Sequence, residues 1–354
     1  MQTNRTDPSC DAAPGLISTE DELDELLTRA RPALVEFMPR LSSPLVILGA
    51  GGKMGPTLAV MAHRAAEAAG HRLDVIAVSR FSDEGTKQWL ARHGVKTLKA
   101  DLLQRGDVER LPDSENVVYL LGLKFGTQQD PGATWAANTL APAHVAERYA
   151  SARIVALSTG NVYPFGPTKS GGVPEEHALT PFGEYANAAV ARERIFEYFA
   201  RKNHSRTALL RLSYAVELRY GVLVDIARKV RAAEPVDVSN GYFNCIWQGD
   251  ANEMILRTLA LATSPPAAFN LTCPAVLCVR EVATKFSELL GCTVKFVGVE
   301  SDTALLASPA KLCAELGSPP TPLDTMIRWT AHWVKSGGRY LGKPTHFEVR
   351  DGKY

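Results

Sequence analysis

The stretch that decides the fold is Leu45-Val46-Ile47-Leu48-Gly49-Ala50-Gly51-Gly52-Lys53-Met54-Gly55-Pro56. Its first four residues form an unbroken apolar run, which is typical of a parallel strand buried on both faces. The glycines that follow favour a turn, and Pro56 fits the first turn of a helix, where its missing N–H costs nothing. A strand, a glycine turn and a helix in this order indicate a dinucleotide-binding crossover.

If the turn binds a dinucleotide, each of its glycines meets a different structural requirement. Gly49 permits the tight turn, Gly52 lets the backbone approach a pyrophosphate, and Gly55 lets the helix pack close to the strand. Lys53 and Met54 lead into the helix, whose amino terminus offers N–H groups and a partial positive charge to phosphates. The alternative is a glycine-rich turn that binds nothing.

Apolar runs alternate with helical segments after the turn. The predicted strands cover residues 44–48, 75–78, 95–98, 117–121, 154–157 and 207–212. The predicted helices between them cover residues 56–69, 85–93, 134–149 and 185–201. This alternation predicts right-handed βαβ units and a doubly wound parallel sheet, an α/β fold of Rossmann type.

The pattern divides the chain into four parts. Residues 1–43 are predicted to be an amino-terminal arm, with a disordered lead over 1–15 and a short helix after a capping-box pattern at residues 18–22. Residues 44–215 form the Rossmann domain. Residues 216–340 form mainly a smaller, irregular substrate-binding lobe, with helices at 225–231, 250–262 and 279–290 and a strand at 268–271. Residues 341–354 are a polar tail.

The charge balance excludes several classes of partner. Thirty-nine basic residues against 38 acidic ones leave a net charge of +1, which argues against a nucleic acid or an anionic membrane as partner. The polar amino terminus has no signal-peptide pattern, and no apolar stretch reaches membrane-spanning length. We therefore expect a soluble cytoplasmic protein.

The histidines and cysteines show no metal-ligand spacing. The sequence contains no CxxC pair and no histidine cluster, so it predicts neither a metal site nor a disulfide framework. Reduced thiols are expected for all six cysteines, Cys10, Cys245, Cys273, Cys278, Cys292 and Cys313.

Residues at the ends of the predicted strands bear on the choice of cofactor. Ser79 and Arg80 stand where an acidic residue would bind a free ribose 2′-hydroxyl, and the fork of an arginine suits a 2′-phosphate. The sequence therefore favours NADP over NAD, the alternative being a solvated loop arginine. Asp101, followed by Leu102, is placed to accept a hydrogen bond from the adenine amino group. Gly122 leaves space for the cofactor after the fourth strand.

Further stretches resemble landmarks of one family, the extended short-chain dehydrogenases/reductases, also called the NAD-dependent epimerase/dehydratase family. These stretches are Gly49-x-x-Gly52-x-x-Gly55, Leu121-Gly122-Leu123-Lys124, Asn138, Ser158-Thr159-Gly160-Asn161-Val162-Tyr163, Tyr185, Glu193, Trp247-Gln248-Gly249-Asp250 and Phe269-Asn270-Leu271. The likeness covers roughly residues 44–335. It implies an NAD(P)-dependent oxidoreductase, epimerase or dehydratase that acts by hydride transfer on a sugar-like or nucleotide-sugar hydroxyl. It also implies a homodimer formed through the two long helices.

The resemblance assigns roles to individual residues. Tyr185 would remove the hydroxyl proton, and Thr159 would hydrogen-bond the same oxygen. The residues placed beside the cofactor are Leu121, Gly122, Lys124, Asn138 and Tyr185. The residues placed beside the substrate are Asn161, Tyr214 and Arg219.

One departure from the family pattern concerns the lysine four residues after the tyrosine, because this chain has Ala189 there. A tyrosine phenol titrates near pH 10, so lowering that value by about three units takes about 4 kcal/mol of stabilisation, for which a nearby cation is the usual source. Arg192, two helical turns after Tyr185, and Lys124 are the two candidates for that cation. Because the lysine is absent, a second hypothesis for the function remains open, namely a non-catalytic dinucleotide-binding sensor or interaction protein.

Overall fold

The computed structural model describes residues 15–124, 126–127, 129–343 and 345–352. Cys10 and the predicted disordered lead up to residue 14 lie outside these residues. The strands are β1 Leu45–Leu48, β2 Val75–Ser79, β3 Lys96–Lys99, β4 Asn116–Tyr119, β5 Arg153–Thr159, β6 Gly166–Pro167, β7 Arg206–Leu212, β8 Ala215–Val216, β9 Pro235–Asp237, β10 Tyr242–Phe243, β11 Ile246–Trp247, β12 Ala267–Leu271, β13 Leu277–Cys278, β14 Lys295–Val297 and β15 Thr303–Ala304.

Helices surround these strands. They are α1 Glu20–Thr28, α2 Pro32–Phe37, α3 Gly55–Ala68, α4 Glu84–Arg92, α5 Arg105–Glu109, α6 Pro131–Arg148, α7 Gly183–Asn203, α8 Val222–Arg231, α9 Gln248–Arg257, α10 Val279–Leu290, α11 Ala310–Leu316 and α12 Leu323–Lys335. Short 3-10 helices cover Met38–Arg40, Gly160–Val162, Thr168–Ser170 and Thr258–Leu261.

Seven of the strands form one sheet in the order β12-β7-β5-β4-β1-β2-β3. Every neighbouring pair in it is parallel, and β1 lies between β2 and β4. The strand order reverses direction beside β1, which is where open α/β sheets bind their ligands. The predicted Rossmann-type α/β fold is confirmed.

The central strand β1 is apolar throughout because both faces of the sheet are covered. Leu45 and Ile47 pack in the cluster that contains the α3 residues, whereas Val46 and Leu48 pack in the cluster beneath α6 and α7. All four side chains are fully buried. Helices on both faces therefore fix the position of the glycine turn that follows the strand.

The sheet gains its last strand from the region predicted to be a separate lobe. β12 pairs with β7 in parallel, so the chain returns to the Rossmann sheet after α8. Helix α9 also packs against the sheet domain, where the amides of Gln248 and Asn252 donate to the Thr57 hydroxyl at 3.0 Å. The domain boundary predicted after residue 215 did not include the pairing of β12 with β7. Such a pairing depends on tertiary contacts, which the sequence pattern does not reveal.

The amino-terminal arm is held by both local and distant contacts. The predicted capping box is present: Thr19 accepts from the Glu22 amide at 3.2 Å, and the Glu22 carboxylate accepts from the Thr19 amide at 3.0 Å. Leu23 and Leu27 on α1 are fully buried in the cluster that also contains Trp329 of α12. The arm is therefore part of the folded body.

The described residues were compared with the requirements for a membrane-spanning helix, a metal site and a disulfide. No described helix is long and apolar enough to cross a membrane. The described His, Cys, Asp and Glu residues include no group of three or more that could hold a metal ion. The five described cysteines are all free thiols.

A buried ion pair joins α7 to the sheet. The Arg211 guanidinium on β7 donates to the Glu193 carboxylate on α7 at 2.8 Å, and both side chains are at most 5% exposed. Arg211 also donates to the Tyr163 hydroxyl at 2.7 Å, and Ser158 donates to Glu193. Tyr163 in turn donates to Asn270 on β12 at 2.8 Å. The pair thus connects α7 with three strands.

We expect Glu193→Gln to destabilise the protein by about 3–5 kcal/mol, because it leaves a buried guanidinium without its counter-charge. The matched control is Glu197→Gln, which breaks the pair with the exposed Arg194 on the same helix and should cost at most about 1 kcal/mol. Urea denaturation of the three proteins measures the difference. Equal losses in both variants would contradict the role given to the buried pair.

Candidate functional site

The glycine turn connects β1 to α3 at the carboxyl end of the sheet. Gly49 has a φ of +80°, and a Cβ there would lie 2.8 Å from the backbone nitrogen of Leu121. A Cβ on Gly55 would lie 2.4 Å from the Ala50 carbonyl oxygen, so only glycine lets α3 start this close to the turn. Gly51, which sequence reasoning did not single out, would meet the Ser79 hydroxyl at 2.6 Å. Backbone proximity therefore requires glycine at positions 49 and 55, whereas the close neighbour of Gly51 is a side chain.

The open part of the turn lies between Gly52 and Gly55. Gly52 is exposed, and a Cβ there would contact only the Gly49 carbonyl oxygen, at 3.4 Å. The N-cap residue Met54 makes no capping hydrogen bond. The amides of Lys53, Met54 and Gly55 have no acceptor among the described residues. The turn is thus a cradle of N–H groups at a helix amino terminus, which suits a phosphate.

The residues predicted to bind the adenosine half follow β2 and β3. Arg80 is exposed directly after Ser79, and it has no ion-pair partner among the described residues. Asp101 accepts from the Leu103 amide at 3.0 Å, so one carboxylate oxygen stabilises its own turn. Leu102 is 4% exposed, and its side chain packs in the apolar core.

A cleft of about 210 Å³ opens beside the glycine turn, at the carboxyl ends of β4, β5 and β7. All four predicted catalytic residues line it, together with several of the residues predicted to bind cofactor or substrate. They are Lys53, Met54, Gly122, Lys124, Thr159, Asn161, Tyr185, Arg192 and Tyr214. Among these predicted residues, Lys53 and Tyr214 are 161 positions apart in the chain and still meet in one cavity.

Arg192 lies at the floor of the cleft and is 3% exposed. Its Nη1 donates to the Leu121 carbonyl oxygen at 2.9 Å, and a Cβ on Gly122 would lie 2.5 Å from that nitrogen. Asn138 is fully buried on α6, where its amide nitrogen donates to the Thr134 carbonyl and its Oδ1 has no partner among the described residues. No described carboxylate forms an ion pair with Arg192. The cleft floor therefore carries a permanent positive charge.

Thr159 and Tyr185 come to the cleft from different elements. Thr159 ends β5, and its hydroxyl accepts from the Asn161 amide at 3.2 Å. Tyr185 lies in the first turn of α7 and is 7% exposed.

Tyr214 has a φ of +36°, which is strained for a residue with a side chain. Its ring lies 5.9 Å from the Lys124 ammonium nitrogen.

The two lysines of the cleft are buried amines. Burial lowers the pKa of Lys53 to about 7, although the Glu217 and Asp225 carboxylates oppose the shift. The Lys53 amine donates to the Ala215 carbonyl at 2.6 Å and lies 4.1 Å above the Tyr220 ring. Burial also lowers the pKa of Lys124, to about 8. With Arg192, the cleft lining holds three basic side chains and no carboxylate among the described residues.

Arg219 is placed outside this cleft. Its guanidinium pairs with Glu217 at 3.1 Å, with Asp24 at 3.0 Å and with Glu20 at 3.3 Å, so it ties the arm to the body. Sequence reasoning missed Tyr220 and Thr345, which do line the cleft. Neither belongs to a motif, and only the fold brings them to this place.

The geometry of the glycine turn and of the adjoining cleft fits a bound dinucleotide. A Cβ on Gly52 would meet no side chain within 4 Å, so the space beside the N–H cradle is open. The unpartnered Oδ1 of Asn138 and Nε of Arg192 lie below the cleft, where further hydrogen-bonding capacity is available. The adenosine end has an exposed cation in Arg80.

Comparison with known proteins agrees with this fold. Residues 45–235, more than half of the chain, match the model of the NAD dependent epimerase/dehydratase family. The protein belongs to that family. No curated protein matches the chain in sequence.

Solved structures share the fold at low sequence identity. A UDP-glucose 4-epimerase from Thermotoga maritima, solved with UDP-glucose, is 17% identical, with a TM-score of 0.67 over 83% of this chain and 99% of that one. A UDP-glucose 4-epimerase from Thermus thermophilus, solved with NAD, is 19% identical, with a TM-score of 0.66 over 83% and 99%. A dTDP-glucose 4,6-dehydratase from Bacillus anthracis, solved with NAD, is 14% identical, with a TM-score of 0.70 over 83% and 97%.

The lowered pKa of Lys53 predicts a pH dependence of stability. Between about pH 7 and the pKa of an unfolded lysine near 10.4, the unfolded chain holds a proton that the folded chain has released. The free energy of unfolding should therefore rise with pH across this window, by at most about 1.4 kcal/mol per pH unit from this group. Lys53→Met should remove that contribution.

Urea denaturation at pH 7, 8 and 9 measures the slope. Lys87→Met is the control, because the Lys87 side chain on α4 is 42% exposed and pairs with no described carboxylate other than Glu84. A slope that is the same in the wild type and in Lys53→Met would show that the amine stays protonated in the folded protein.

Proposed function

We propose that this protein is an NAD(P)-dependent oxidoreductase, epimerase or dehydratase that acts on a hydroxyl of a nucleotide sugar. The observation that supports it most directly is the meeting of Tyr185, Thr159 and Arg192 in one cleft beside the phosphate cradle. A phenol, a hydroxyl and a cation in a buried cleft are the groups needed to take a proton from an alcohol.

Cofactor binding is proposed for the groove from the glycine turn to the ends of β2 and β4. The amides of Lys53, Met54 and Gly55 would hold the pyrophosphate, and Asp101 and Arg80 would contact the adenosine half. Gly122 and Asn138 would lie at the nicotinamide end. When bound, the nicotinamide supplies the site with a hydride acceptor and donor.

Proton transfer is proposed for Tyr185. Its phenolate oxygen would take the proton of the substrate hydroxyl, while the carbon that bears this hydroxyl gives up its hydride. The Thr159 hydroxyl, which donates to Asn161 Oδ1 at 3.2 Å in the structure, would turn its proton to the same substrate oxygen and hold it in line. The backbone amide of Asn161 keeps the Thr159 hydroxyl in place.

Arg192 is proposed to take the place of the missing lysine. Ala189 is fully buried and packs with Val162 and Tyr163, so nothing charged enters the cleft from that position. Arg192 comes from the same helix and reaches the cleft floor, because Gly122 leaves room for it. An arginine stays protonated at any pH the protein survives, whereas the pKa of Lys124 is lowered to about 8 by burial.

A nucleotide sugar as substrate is supported by the charge of the cleft. Lys53, Lys124 and Arg192 surround a space without a carboxylate among the described residues, which favours an anionic ligand. The epimerase from Thermotoga maritima was solved with UDP-glucose. UDP-glucose is therefore the first probe for this site.

Tyr185→Phe should abolish turnover of sugar-nucleotide probes, by at least about 10²-fold, because it removes the proton acceptor. Binding of the dinucleotide should be unchanged. Turnover is measured by absorbance of the reduced nicotinamide and by chromatography of UDP-sugars, and binding by calorimetry. Tyr198→Phe, an exposed tyrosine on the same helix, is the control. Full activity in Tyr185→Phe would refute the mechanism.

The preference for NADP rests on Arg80 alone. The solved structures named above that hold a dinucleotide hold NAD, whereas an exposed arginine after β2 suits a 2′-phosphate. We expect Arg80→Ala to weaken NADP binding about tenfold or more, in line with about 1.5–3 kcal/mol for a charge-assisted hydrogen bond, and to leave NAD binding unchanged. Calorimetry measures both affinities. Arg92→Ala on α4 is the control, and a wild type that prefers NAD would overturn the assignment.

The alternative function is a non-catalytic dinucleotide-binding sensor, and the observation that favours it is the buried Ala189. Such a protein would bind dinucleotide with no redox change or isomerisation across a broad panel of sugars and sugar nucleotides. The enzyme is preferred because Thr159, Tyr185 and Lys124 all line one cleft, an arrangement that a sensor does not need.

Homodimer formation is proposed through α6 and α7. Trp135 and Leu140 on α6 and Tyr198 on α7 are each at least 38% exposed, which is unusual for large apolar side chains on two adjacent helices. Sedimentation of the wild type should give a dimer, and Leu140→Glu should shift it to a monomer. A monomeric wild type at micromolar concentration would contradict the proposal.

A further inference from the structure

The last described part of the chain, residues 345–352, runs from the lining of the cleft at Thr345 to the start of α7 at Gly183. We call it the C-terminal strap. Thr345 at its start lines the cleft together with Lys53 and Tyr185. Gly352 at its end packs against Gly183, the first residue of α7. The strap thus joins the carboxy-terminal lobe to the helix that carries Tyr185, although this segment reads as a polar tail in sequence.

The start of the strap is fastened to α8. The Thr345 amide donates to the Asp225 carboxylate at 2.9 Å, and the Thr345 hydroxyl donates to the same oxygen at 2.6 Å. Thr345 is 1% exposed. Burial raises the pKa of Asp225, and its bonds to Thr345 oppose that shift. The Asp225 carboxylate lies close enough to Lys53 to raise the pKa of its amine. The contact between Thr345 and Asp225 is therefore next to the cleft.

The middle of the strap is fixed by a core residue and by charges. Phe347 is 1% exposed and belongs to the apolar cluster of the lobe. Glu348 pairs with Lys229 of α8. Arg350 donates to the Thr303 carbonyl at 2.7 Å, and its guanidinium lies 4.1 Å above the Phe165 ring. A segment with these contacts has one defined path.

The end of the strap meets α7 backbone to backbone. Gly183 has a φ of +81° and Gly352 a φ of +73°. A Cβ on Gly183 would lie 2.3 Å from the Gly352 carbonyl oxygen, and a Cβ on Gly352 would lie 2.6 Å from the Phe182 carbonyl oxygen. Glycine is required on both sides of this contact, which lies two residues before Tyr185.

We propose that the C-terminal strap closes one side of the substrate cleft and positions Tyr185 by holding the first turn of α7. The strap residues are positioning residues, since none of them takes part in the chemistry. The inference about Tyr185 rests on the proposed function, whereas closure of the cleft does not. Phe182, the N-cap of α7, makes no capping hydrogen bond, so contact with the strap restrains a helix start that lacks a cap.

The test compares two glycine substitutions with the same backbone cost. Gly352→Ala places a methyl group against the Phe182 carbonyl, whereas Gly342→Ala adds one at a φ of +67° with nothing within 4 Å. Amide hydrogen exchange of residues 183–190 and 345–352 should become at least about tenfold faster in Gly352→Ala and stay unchanged in Gly342→Ala. Circular dichroism and urea denaturation check that both variants are folded.

A second readout reports closure of the cleft. The Lys53 amine should react with 2,4,6-trinitrobenzenesulfonate at about pH 8 several-fold faster in Gly352→Ala than in the wild type, as measured by peptide mass spectrometry. Thr345→Val, which removes one bond to Asp225, should also speed the reaction, and Thr345→Ser should restore the wild-type rate. Unchanged exchange and unchanged labelling in Gly352→Ala would overturn the proposal.

A third readout concerns Tyr185. With NAD or NADP and UDP-glucose as probes, Gly352→Ala should lower kcat at least about fivefold with the KM for the dinucleotide unchanged. If the wild type turns over no probe, the exchange and labelling experiments still decide whether the strap closes the cleft, and the failure concerns the proposed function alone. If kcat is unchanged while exchange near Tyr185 is faster, the positioning role is refuted.

Discussion

The ion pair between Glu193 and Arg211 is the contact that orients the whole site. Burying either charge without the other is costly, so the pair favours the packing of α7 that brings Glu193 to β7. Tyr185 lies on the same helix two turns earlier, and Arg192 directly precedes Glu193. The helix that supplies both groups of the cleft is therefore oriented by a bond to the sheet beneath it.

The hydrogen bonds around this pair extend the constraint to the rest of the sheet. Ser158 on β5, Tyr163 after β5 and Asn270 on β12 are all linked to it. Thr159 adjoins Ser158, so the proposed proton acceptor and the residue that would hold the substrate oxygen are positioned by one network. A fully satisfied buried network of this kind rigidifies its surroundings, which a site with precise geometry requires.

The cleft above the network combines charges that would repel one another in the absence of a ligand. Lys53, Lys124 and Arg192 line one space, and burial lowers the pKa of each lysine. An anionic ligand would relieve this repulsion and raise both pKa values, since opposite charge favours the protonated amine. Binding of a diphosphate is therefore expected to take up protons near neutral pH. The C-terminal strap contributes Thr345 to the same space, so the cleft is lined by parts of the chain more than 290 residues apart (Lys53 and Thr345).

Local patterns in the amino-acid sequence were sufficient to predict the sheet, the glycine turn and the residues at strand ends, because these depend on apolar runs, helical periodicity and the φ that only glycine adopts freely. Resemblance to the family's motifs, and not these local patterns, pointed to Tyr185, Thr159 and the absence of lysine at Ala189. Tertiary contacts were needed to place Arg192 under Gly122, to return β12 to the sheet, to turn Arg219 towards the arm and to lay the strap over the cleft. These features depend on contacts between distant segments, and no local pattern of residues encodes such contacts.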